Sequence, residues 1–176
     1  MRLSPKEDYL NKNKTRNQDN TYQSEYNCGG YALRTFSWFY PDEAGTGFDW
    51  AEREDVIQGM IFDGYYKEEI YNVILNRDVQ YMLSVIPTLS IYKGDPKTYQ
   101  EKDGEELIAY RIFINDEEED DNDFHFMVLR NGHWREKNGS FNIKFCLPPW
   151  EEGNWVYPSI EYDSEIVYFV NKVGEN

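Results

Sequence analysis

The chain holds two cysteines and two histidines, so thiol chemistry has few possible arrangements. Cys28 stands in Tyr26-Asn27-Cys28-Gly29-Gly30-Tyr31-Ala32-Leu33, where an irregular polar stretch turns into apolar residues at helical density. Unpaired N–H groups and the positive end of a helix dipole stabilise a thiolate at such a position. Asn27 and Gly29 flank the thiol where a substrate carbonyl would lie. A glycine lets that carbonyl approach the backbone, and the Cys28 N–H is placed to donate into an oxyanion hole. A lone cysteine at a helix start is equally a small buried residue, so the case depends on a base.

His125 supplies one. It lies in Asp123-Phe124-His125-Phe126-Met127-Val128, on an expected strand, and Asn131-Gly132 downstream is a strong hairpin signal. A two-residue turn there sets Arg130 against His133, Met127 against Glu136 and His125 against Asn138. Alternation then puts His125, Met127, Glu136 and Asn138 on one face. A thiolate–imidazolium pair needs such a third group, an amide or a carboxylate, to fix the ring and its tautomer. His133, at the exposed end of the hairpin, reads as a surface residue. Cys146, among apolar neighbours and without glycines, reads as core.

The elements that must position this pair follow a simple order. Residues 1–24 are polar and weakly periodic, a tail or loosely docked arm, and 25–176 form one domain. Tyr31 to Phe39 are dense enough for a buried helix that Pro41 stops. Trp50 to Phe62 and Lys67 to Ile86 carry apolar residues at helical spacing, separated by Asp63-Gly64 and closed by Pro87. Residues 93–104 are a polar connection. Strands follow at Glu105–Asn115, whose apolar run suits burial on both faces, and at Phe124–Arg130, His133–Lys137, Ile143–Leu147, Trp155–Tyr157 and Ile166–Val170. Helices first and antiparallel strands after make the class α+β.

Cysteine on an early helix, histidine on a strand and a polar residue on the next strand resemble, in that order, the papain-like cysteine hydrolases, including their cell-wall amidase and endopeptidase branch. More narrowly, NCGGYAL followed by DFHFMVLRNGHWREKNGS is similar to a group of uncharacterised proteins of Gram-positive bacteria and their phages. Their pattern is Asn-Cys near a helix start, an Asp-x-His-aromatic strand, then Gly-x-Trp-x-His-Lys-x-Gly. The resemblance implies a papain-like fold with N-terminal helices packed on a C-terminal antiparallel sheet. It implies Cys28 as nucleophile, His125 as general base and acid, and Glu136 or Asn138 as the group that orients the ring. Glu136 stands where the pattern has its histidine before Lys137.

Composition bounds the rest. Lys and Arg number 18 against 33 Asp and Glu, a net charge of −15, which repels phosphate backbones and anionic membranes. Aromatics make up 17% of the chain, enough ring surface to support a packed core. The first residues lack the apolar run of a secretory signal, and the expectation is a cytoplasmic protein. The acidic run DEEEDDND at 116–123 lacks the glycine and alternation of a calcium loop, so no metal and no cofactor is expected. Its negative potential, next to His125, disfavours anionic substrates. Two functions compete. One is a thiol hydrolase or transferase acting on an amide or peptide bond. The other is a non-catalytic acidic protein, such as a phage-encoded inhibitor or nucleic-acid mimic on a degenerate scaffold, that occupies a basic protein partner.

Overall fold

The computed structural model describes residues 15–16, 22–23, 26–41, 50–115, 122–139, 141–151, 153–156 and 160–174. Two short strands, β1 (Thr15–Arg16) and β2 (Tyr22–Gln23), pair antiparallel. The rest of the expected 1–24 arm and most of the 116–123 acidic run lie outside the described residues. Three helices follow, α1 (Cys28–Ala32), α2 (Trp50–Phe62) and α3 (Lys67–Val85). Strands β3 (Leu89–Ile91), β4 (Glu105–Phe113), β5 (Asp123–Arg130), β6 (His133–Lys137), β7 (Ile143–Phe145) and β8 (Val167–Lys172) form one antiparallel sheet in the order β3-β8-β4-β5-β6-β7. The α+β class is as expected.

In α3, Ile70, Ile74, Asp78 and Met82 recur every four residues, with Tyr71, Leu75 and Val79 beside them, and all are buried. That spacing makes one helical stripe facing the sheet. The helix starts where the Glu69 carboxylate accepts the Tyr66 N–H at 2.9 Å, satisfying a donor that no helical carbonyl can reach. Asp78 is a charge inside the stripe and must be paired. Arg53 of α2 donates to both its oxygens at 3.0 Å, and the Tyr110 hydroxyl of β4 donates to it at 2.5 Å. Burial alone would disfavour the Arg53 cation, but Asp78 keeps it protonated. The three residues tie α2, α3 and the sheet at one point.

β4 is buried on both faces, as its apolar run predicts. Ile108, Tyr110 and Ile112 join the helix-side core, and Leu107 and Ala109 join a second core with Met127, Trp134, Trp155 and Tyr162. The hairpin turns at Asn131-Gly132, both at positive φ, with Arg130 opposite His133 and Met127 opposite Glu136.

Four features correct or add to the expected elements. The first helix stops at Ala32, well short of Phe39. Arg34 and Phe36 have φ of 59° and 51°, which no right-handed helix contains, and the Phe36 N–H turns back to the Gly30 carbonyl at 3.0 Å. Leu89–Ile91, for which no element was expected, adds β3 to the sheet edge by pairing with β8. Of the expected strand Trp155–Tyr157, Tyr157 lies outside the described residues; Val156 forms an isolated bridge with Glu161, and Trp155 packs into the second core. Cys146 is half-buried at the edge of that core rather than inside it.

Candidate active site

Cys28 occupies the first position of α1 and is buried, as is His125. Their side chains interact, and the interaction favours the imidazolium. The ring's other contact is from Nε2 to the Glu136 carboxylate at 3.0 Å, which leaves Nδ1 for the thiol. Burial would lower the His125 pKa. The Cys28 and Glu136 side chains overcome it and hold the value up at about 9. Burial likewise disfavours the Glu136 anion, but His125 and Lys144, whose Nζ lies 3.3 Å from Oε1, keep its pKa below the ordinary carboxylate value. Lys144 reaches it because the β6–β7 ladder sets the two residues directly opposite.

Register explains which polar residue holds the ring. The β5–β6 ladder ends at Met127–Glu136 and β6 ends at Lys137, so Asn138 never becomes the strand partner of His125. Gly139, at a φ of 52°, turns the chain away. Glu136 meets His125 on the diagonal instead, from the same face. Asn138 is buried and lines the pocket.

The thiol and the imidazole come from opposite sides of the sheet. Phe124, Phe126 and Val128 enter the helix-side core that also holds Cys28. His125 points the other way, with its ring stacked on Tyr162 at 5.4 Å and edge-on to Trp155 at 5.9 Å. The two halves meet beyond the end of the β5–β6 ladder, where no β6 strand lies between them.

A short helix needs fastening at both ends, and α1 is fastened by side chains. Asn27 caps its start: Oδ1 accepts Gly30 N–H at 3.1 Å and Phe39 N–H at 3.0 Å, and Nδ2 donates to the Phe39 carbonyl at 2.7 Å. The Asn27 side chain is therefore a brace as well as part of the pocket wall. At the other end Arg130 of β5 donates to the Tyr31 and Ala32 carbonyls at 3.4 and 3.5 Å and lies over the Tyr31 ring. Glu106 binds Arg130 and Arg34 together, so one carboxylate of β4 compensates both guanidinium groups.

The glycines serve packing, contrary to the expected opening for a carbonyl. A Cβ on Gly29 would come 2.7 Å from the Phe39 ring, and one on Gly30 would come 2.0 Å from the Ser37 carbonyl oxygen. Gly29 is no part of the pocket wall. The Cys28 N–H, at the first helical position, has no intrahelical acceptor.

Cys28 and His125 open on a pocket of about 430 Å³ whose wall includes Asn27, Asn138, Asp123 and Tyr162. Asp123 and Tyr162 were not among the expected site residues. The Tyr162 hydroxyl donates to Asp123 at 2.9 Å. Asp123 stands two residues before His125, so alternation could have placed it beside the ring. Nothing in the sequence singled out Tyr162 from fifteen tyrosines. A larger cleft of about 660 Å³ lies by Arg34, Glu106 and Arg130, and among the described residues its wall has no thiol, hydroxyl or imidazole. Among the described residues no cluster of His, Cys, Asp and Glu could hold a metal, and no helix is long and apolar enough to cross a membrane. In comparisons with protein-family models, curated proteins and solved structures, nothing matched this chain.

Proposed function

We propose that the protein is a papain-like thiol hydrolase or transferase acting on an amide or peptide bond. The observation that carries the reading is the continuous contact from Cys28 through His125 to Glu136, with Cys28 and His125 in the wall of a pocket. Glu136 takes the place that a histidine holds in the resembling sequences, and its carboxylate binds the ring as the role requires. The Cys28 thiolate attacks the amide carbonyl, and the oxyanion forms beside the Cys28 N–H. When the C–N bond breaks, the His125 imidazolium gives its proton to the departing amine. Neutral His125 then takes a proton from water, or from an acceptor amine, as that nucleophile displaces sulfur from the thioester. Glu136 touches no reacting atom; it is a positioning residue. The substrate is a peptide or other amide, and the chemistry requires no cofactor.

The second reading, an acidic protein that occupies a basic partner and binds no nucleic acid itself, rests on the net charge of −15. Alkylation of the native protein by iodoacetamide near pH 6, mapped by mass spectrometry, separates the two. An active site gives faster labelling at Cys28 than at Cys146, whose thiol burial holds in the protonated form, and His125→Ala slows it about tenfold or more. Slow, equal labelling at both cysteines, indifferent to His125, would favour the binding protein.

A further inference from the structure

The pocket beside Cys28 has a chemical bias that the catalytic pair does not need. Trp38, Tyr40, Phe124, Phe141 and Tyr162 contribute aromatic surface to its wall, and among the described residues Asp123 is the one carboxylate there. Among the described residues no Lys or Arg belongs to that wall, and its one cationic group is the His125 imidazolium, already held by Glu136. Asp123 accepts the Phe124 N–H at 2.7 Å on Oδ1 and the Tyr162 hydroxyl at 2.9 Å on Oδ2. A carboxylate has about four acceptor sites, so each oxygen keeps capacity for another donor. Among the described residues no lysine or arginine forms an ion pair with Asp123. Its pKa is raised, chiefly by burial, which outweighs the Phe124 N–H, the Tyr162 hydroxyl and the charges of His125 and Arg53.

Aromatic faces and a half-buried carboxylate together attract one class of group, an alkylammonium or guanidinium cation. The volume of about 430 Å³ lies within the usual range for small-ligand pockets, about 300–1,000 Å³. The overall charge of −15 would raise the local concentration of cations further. We propose that the pocket selects amide substrates carrying a basic side chain, lysine-like or arginine-like, next to the scissile bond, with Asp123 and the surrounding rings as the specificity determinants. The inference rests on the hydrolase reading for its site.

Two measurements keep the inference and that reading apart. The first is binding, with the full chain carrying Cys28→Ala, titrated with short peptide amides that differ at one residue. Lysine is compared with norleucine, arginine with citrulline, and glutamate serves as the anionic control. A basic-side-chain pocket binds the cation over its neutral isostere by about tenfold, less as salt is raised, and binds the glutamate peptide worst. The lysine and arginine arms show which cation fits. Asp123→Asn brings the cation-to-isostere ratio toward one, and Tyr40→Leu lowers it by a separate route should the first variant fold poorly. Equal affinity for lysine and norleucine peptides, or a preference untouched by both variants, overturns the inference. The second measurement is turnover of the same peptides by the unaltered protein. Selective binding without turnover would sink the hydrolase reading and leave the cation pocket standing; turnover without selectivity would do the reverse.

Discussion

Glu136 lies directly across the hairpin from Met127, yet its carboxylate holds the ring of His125, two residues further along β5. The diagonal contact makes Glu136 a test of role. Glu136→Gln keeps the shape and a hydrogen-bond acceptor but loses the charge that favours the imidazolium. The expected outcome is a lower apparent pKa for His125, read by NMR titration, with Cys28 labelling slowed at neutral pH. Aspartate should fail to rescue, because its shorter side chain cannot span the diagonal. An unchanged His125 titration in Glu136→Gln would rule out the positioning role.

The same pair sets a pH window for stability. Glu136 has its pKa lowered in the fold, so its contribution is present above the ordinary carboxylate value of 4.5 and is lost on acidification. His125 is raised from 6.5 to about 9, so its contribution is complete below 6.5 and fades as pH rises through 9. Urea midpoints should therefore peak between about 4.5 and 6.5 for this pair, and His125→Gln should flatten the alkaline limb. Amide turnover should also fall above about 9, where the imidazolium that protonates the leaving amine disappears.

Two glycine substitutions should differ in sign. Gly30→Ala drives a Cβ into the Ser37 carbonyl and disturbs the turn that Asn27 braces. It should cost about 1–3 kcal/mol and slow Cys28 labelling. Gly59→Ala, inside α2 with open space around its Cβ, should stabilise by about 0.5–1 kcal/mol through helix propensity. Chemical denaturation measures both.

The buried Arg53–Asp78–Tyr110 cluster gives a larger effect away from the site. Asp78→Ala leaves the Arg53 cation without its bidentate partner in a fully buried place. The expected cost is about 3–5 kcal/mol. Replacing Arg53 and Asp78 together with methionine and leucine should recover much of it, because the uncompensated charge is then gone.

How much of this was legible in the sequence depended on the range of the forces involved. Asn131-Gly132 and strict alternation set the β5–β6 register, because turn chemistry acts locally, and so His125 and Glu136 emerged on one face. The stripe from Ile70 to Met82 marked α3 for the same reason. The end of α1 was hidden, since the residues that stop it answer to distant partners: Arg34 to Glu106 in β4, and Phe39 to the Asn27 side chain. The glycines next to Cys28 were read as openings, but rings and a carbonyl from elsewhere in the chain fill the space. Tyr162 was invisible, because its place over His125 is fixed by tertiary contacts with Asp123 and by its N–H bond to the Trp155 carbonyl. Composition carried the acidic surface; only packing revealed that one acid, Asp123, faces the pocket.

β4, at the middle of the sheet, pairs on one side with β5 and on the other with β8, where Glu105 meets Lys172. In synthesis from the N-terminus, Cys28 is therefore exposed long before the last neighbour of β4 exists. Until Val167–Lys172 has been made, β4, which carries the Glu106 that binds Arg130, lacks one of its two strand neighbours. The expected consequence of this topology is that His125-dependent labelling of Cys28 waits on the closing of that edge of β4. Ribosome-arrested chains ending before residue 167 should accordingly show no His125-dependent labelling of Cys28, and chains extended far enough for β8 to emerge should gain it in a single step.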